Sequence, residues 1–136
     1  MDHNLQILGM AKKAGLLAVG AQDVSSAART GKACIVISAG DSSGSAFRRA
    51  HSSAKTGSIP HVVVPYSSFE LGSVSGRGSP GTVAFLDAGL AAEFLGRLAA
   101  TDPGRFGEAA ELLAHKTRTI KENKSRAISG KRRTVQ

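Results

Sequence analysis

Leu5, Leu8 and Ala11 recur at helical spacing ahead of Gly15, behind an Asp2 able to cap the segment. The short apolar run "GLLAV" that follows predicts a strand. Helical spacing returns from about Gln22 to Thr30, with Val24, Ala27 and Ala28 facing inward and Gly31 closing the helix. "ACIVIS" (residues 33–38) is apolar without alternation, the pattern of a strand buried on both faces. Asp41 to Ser43 can cap a third helix through Phe47, Ala50 and Ala54, ending near Gly57. "HVVVP" predicts the next strand. Ser67 and Glu70 are spaced as a capping box for a short helix carrying Leu71 and Val74. "SGRGSPG" (residues 75–81) has the composition of a loop. After it "TVAFLD" predicts a strand, and Leu90, Phe94, Leu95 and Leu98 a helix.

Helices alternating with short strands at this spacing predict the α/β class, as a three-layer α/β/α sandwich with a four-stranded mixed sheet. That body spans residues 1–100. Asp102-Pro103 supplies a cap and a first-turn proline for a further helix over residues 101–115. Phe106, Ala109, Ala110 and Leu113 give that helix one apolar face, which must dock or pair with something. Apolar residues then thin out, and residues 116–136 read as a basic, disordered tail.

Charge sharpens this division. The 136 residues carry a formal +8, yet 116–136 alone hold eight Lys/Arg against Glu122, while 1–115 hold ten basic and nine acidic groups. A basic excess points to nucleic acid or an acidic membrane surface, and here it points through the tail. Aromatic residues make up 4% of the chain, without Trp, which weakens any reading based on stacked single-stranded bases. One cysteine excludes an internal disulfide, and no apolar stretch approaches a membrane span. The expectation is a soluble, cytoplasmic monomer.

Enzymatic chemistry finds no foothold. His3, His51, His61 and His115 occur singly in different elements, none at metal-ligand spacing with another ligand. Cys34 lies in an apolar strand, where a thiol is protonated and inert. No Gly-x-Ser-x-Gly elbow follows a strand, and Ser75-Gly76-Arg77-Gly78 lacks both the Walker lysine and the dinucleotide-binding context. Asp87, between a strand and a helix, reads as an N-cap. No catalytic residue, metal or cofactor is expected. The 75–81 loop is open to two readings, a flexible connection or a loop whose amides approach a phosphate or base.

Three strings carry a resemblance: "ILGMAKKAGLLAVGAQDVSSAARTGKACIVISAGDSS", "IPHVVVPYSSFELGSVSGR" and "TVAFLDAGLAAEFL". Together they resemble the ribosomal protein L-seven-Ae and L-thirty-e family, and most of all its small bacterial members, over roughly residues 4–98. The resemblance implies the α/β/α fold and binding of RNA at kink-turns. In that family a Gly-x-Asn-Glu-x-x-Lys turn enters the second helix and reads sheared G·A pairs. The matching positions are Gly20, Ala21, Gln22, Asp23 and Ser26, so the amide is longer, the carboxylate shorter and the lysine replaced by serine. The family also covers a flipped base with aliphatic residues of the loop before its last strand. The matching residues, Ser75, Gly76, Arg77 and Gly78, include no aliphatic side chain, and Arg29 and Lys32 add charge near the expected face.

The resemblance therefore implies a non-catalytic RNA-binding protein, ribosome-associated, with RNA and ribosomal proteins as partners and the tail adding phosphate contacts. From the residues alone, Gln22 and Asp23 read first as a plain helix start, and only the resemblance turns them toward RNA. The alternative function is a protein-interaction module of the same fold, using the Phe106–Leu113 face and retaining only nonspecific RNA binding through the tail. A substrate-binding fragment of an RNA methyltransferase ranks last, because the chain has no length for a catalytic domain.

Overall fold

The computed structural model describes residues 3–76, 78 and 80–135, with side chains through Lys121. Six helices and four strands follow the order α1 (His3–Lys13), β1 (Leu17–Val19), α2 (Ala21–Arg29), β2 (Ile35–Ser38), α3 (Gly44–Gly57), β3 (His61–Val63), α4 (Ser68–Ser75), β4 (Thr82–Phe85), α5 (Ala88–Thr101) and α6 (Pro103–Val135). Asp2, the expected first cap, lies outside the described residues. The strands form one mixed sheet in the order β1-β4-β2-β3. The last strand in sequence thus enters between the first two, antiparallel to both, while β3 runs parallel to β2 at the edge.

Each face of the sheet has its own core, as the uninterrupted apolar run of β2 requires. Ile35 and Ile37 point to one side, where Leu8, Leu71, Phe85, Phe94, Leu95 and Leu113 are all but fully buried. Val36 points to the other, where Ala18, Ala27, Ala50, Ala54 and Ala84 surround Val24. This second core is built almost wholly from alanine, so α2 and α3 lie close to the sheet and to each other. A Cβ on Gly57 would stand 3.0 Å from the Ala28 carbonyl oxygen.

Local signals do what their chemistry dictates. Ser43 Oγ accepts the Ala46 amide, and Asp87 Oδ2 accepts the Leu90 amide, each satisfying a first-turn donor. Ser67 and Glu70 close a reciprocal capping box at 3.0–3.1 Å. Asp41 Oδ1 accepts both the amide and the hydroxyl of Ser68 at 2.8 Å, tying the loop before α3 to the start of α4. Those two donors hold the Asp41 carboxyl below its usual range. Burial pushes the Cys34 thiol up, against the opposing pull of Lys116.

The C-terminal segment shows two features. Phe106, Ala109 and Leu113 are buried against the body of the same chain, so the apolar face is already occupied. The helix also continues past the expected boundary at Lys116, as one element to Val135. Low hydrophobicity and high charge forecast the lack of a core, but they do not forbid a helix. Lys, Arg, Glu and Ala are good helix formers, and no proline follows Pro103. Among the described residues no helix is long and apolar enough to cross a membrane.

Candidate nucleic-acid interface

The antiparallel placement of β4 gathers four connections at one end of the sheet. The Gly20 amide donates to the Thr82 carbonyl at 3.0 Å, and the Ala39 amide to the Gly81 carbonyl at 2.9 Å. The Gly40 amide reaches Tyr66 at 2.8 Å. The turn into α2 is thereby fixed beside the end of the 76–81 loop and the entrance to α3.

Gly20 is what permits that turn. Its φ of 94° and ψ of 155° lie in a region open essentially to glycine. It is the N-cap of α2 but offers no side chain to the first amides, so Ala21, Gln22 and Asp23 begin the helix on exposed positions. Replacing Gly20 with alanine is expected to cost about 1–3 kcal/mol of stability, or to rotate the Gln22–Asp23 turn. A urea melt reads the first outcome. Loss of the Gly20–Thr82 bond in amide exchange reads the second, and a variant unchanged in both contradicts the strain.

Between α2 and α3 runs a groove lined by Ala21, Val24, Ser25, Arg49, Ser53 and Thr82. It continues over Ser43, Ser45, Ala46 and Gly81, with Arg49 on both stretches. Helices α2 and α3, with the turn between α2 and β2, carry Arg29, Lys32, Arg48, Arg49 and Lys55 against Asp23, with Asp41 in the loop that enters α3. On the opposite face, α4, α5 and the docked start of α6, with the residues that flank α5, carry Glu70, Asp87, Glu93, Asp102, Glu108 and Glu111 against Arg97 and Arg105, while α1 ends on Lys12 and Lys13. The near-neutral body is therefore polarised, and its cations concentrate on the layer that holds the groove.

The expected site residues divide. Gly20, Ala21, Gln22 and Asp23 share one end of the molecule with the end of the 76–81 loop, and Gly76 and Gly78 are exposed. Ser26 is exposed one turn further along α2. Ser75 is no loop residue: it ends α4 and is 4% exposed, so it presents nothing to a ligand. Arg29 and Lys32 sit at the far end of α2, about 13 Å along a nine-residue helix, and do not join the turn. Arg77 lies outside the described residues. Arg49 was missed by the sequence reading. Its signal is the spacing of Ala46, Ala50 and Ser53, which sets position 49 at the margin of the inward stripe of α3.

No family model matches the sequence, and no curated protein sequence does. Solved structures do share its fold. A Bacillus halodurans protein of unknown function is 25% identical with a TM-score of 0.61, over 68% of this chain and 93% of that one. The Giardia lamblia 15.5kD RNA binding protein is 19% identical with a TM-score of 0.56, over 71% of this chain and 84% of its own. These likenesses establish the fold.

Proposed function

We propose that the chain is a non-catalytic RNA-binding protein that recognises structured, kink-turn-like RNA, ribosomal RNA foremost. The observation that carries the reading is the polarised body. Its cationic layer holds a groove that opens beside a turn only glycine can make. The fold shared with the Giardia RNA binding protein supports it. In this reading Gln22 and Asp23 supply an amide and a carboxylate to base edges. Arg49 supplies a forked cation to a phosphate lying along the groove. The cations of residues 116–136 add contacts that are indifferent to sequence.

The test compares a kink-turn RNA with a plain duplex of equal length. The full chain is expected to prefer the kink-turn. Asp23→Ala is expected to erase that preference, because the carboxylate reads bases. Arg49→Glu is expected to weaken both RNAs by about tenfold, near 1.4 kcal/mol, because a phosphate contact is common to both. Equal affinity of the unmodified chain for the two RNAs would refute shape recognition by this face.

A further inference from the structure

We propose that His51 and His61 hold a transition-metal ion of the zinc class, with solvent completing a tetrahedral shell. The two imidazoles come from α3 and β3, and their Nδ1 atoms stand 3.4 Å apart in a ring-to-ring hydrogen bond that a bound ion would replace. Tetrahedral zinc keeps ligand nitrogens at about 2.0–2.1 Å, which sets two of them about 3.3–3.4 Å from each other. The pair therefore stands at the edge length of a zinc tetrahedron. The rings are tilted by 48° with centroids 5.6 Å apart, so nitrogen atoms rather than ring faces approach.

The surroundings supply the second half of such a site. His61 Nε2 lies 2.7 Å from the hydroxyl of Ser38, which is completely buried. With its proton on Nε2, His61 donates to Ser38 and leaves the Nδ1 lone pair for the ion. That is the outer-shell bond that fixes a ligating imidazole's tautomer and ring angle. The Phe47 ring stands 4.9 Å from His61 and 6.1 Å from His51, an apolar wall on one flank. Among the described residues no third His, Cys, Asp or Glu joins the pair. Two positions thus belong to water, and the ion exchanges readily. Imidazole donors select zinc, nickel or copper over magnesium and calcium. Bound there, the ion ties α3 to the edge strand, which gives it a measurable effect on stability.

Untagged full-length protein titrated with Co²⁺ alone tests this. One equivalent is expected to bind, read by titration calorimetry, and Zn²⁺ to displace it. His51→Gln and His61→Gln should each abolish the signal, and Ser38→Ala should weaken binding by about tenfold. His51 is exposed, so His51→Gln keeps the fold, checked by an unchanged metal-free melting temperature. Zn²⁺ should raise the melting temperature of the unmodified chain but not that of His51→Gln. Absence of saturable uptake, or uptake that survives His51→Gln, overturns the proposal.

Discussion

Phe94→Ala is expected to lower the unfolding free energy by about 3–5 kcal/mol, the range for deleting a fully buried aromatic ring. The ring is 0% exposed on the sheet-facing side of α5. It lies 5.4 Å from Phe85 and 6.5 Å from Tyr66, both in tilted arrangements. Such pairs add about 0.5–1.5 kcal/mol beyond their buried area. Domains of this size hold about 5–15 kcal/mol in all, so the variant should stand near its folding threshold at 37 °C. A shift in the urea midpoint at constant slope measures the loss. A loss below about 1 kcal/mol would mean that this core is not packed around Phe94.

Removing the basic tail should have the largest effect on binding. If about six of its eight cations meet phosphates, they contribute roughly −4 to −5 to the slope of log affinity against log salt. The full chain should then lose about three orders of magnitude in RNA affinity between 50 and 200 mM salt. A chain ending at His115 keeps Phe106, Ala109 and Leu113, the buried anchors of α6. It should show only the shallow slope that the α2–α3 cations supply. Parallel salt series on the two chains decide it, and equal slopes would remove the tail from the interface.

Much of this fold was legible because its signals are local. A run such as Ala33–Ser38 has one simple burial, between two helical layers. Ser43, Ser67, Glu70 and Asp87 satisfy amides a few residues away, so their spacing suffices to place them. What escaped was non-local. No feature of Thr82–Phe85 by itself tells that the strand inserts between β1 and β2, and that insertion is what sets the Gly20 turn beside Gly81. Arg29 and Lys32 looked adjacent to the turn because they are close in sequence, yet a helix carries them to the opposite end. Ser75 looked exposed because it stands beside glycines, while α4 takes it inside. Phe47 fits the apolar stripe of α3 by spacing, but it leans over His61 on the flank of the helix and remains 40% exposed. His51 and His61, single residues in separate elements, meet only once β3 has paired with β2.

The alanine core beneath α2 and α3 has a consequence for which substitutions the protein can accept. Ala27, Ala28 and Ala54 are buried, and a Cβ at Gly57 would press on the Ala28 carbonyl. Enlarging Ala27, Ala28 or Ala54 presses the two helices apart and widens the groove that Arg49 lines, whereas Ala50 borders that groove and a larger residue there would fill it. Across the sheet, Leu, Ile, Val and Phe interdigitate, and volume-conserving exchanges there are tolerated. A saturation mutagenesis map should therefore be lopsided: the large-residue layer permissive to aliphatic exchange, and the small-residue layer accepting little beyond Ala, Gly and Ser. The width of the cationic groove is then inherited with those small side chains, and drift at its surface can change its charge more easily than its shape.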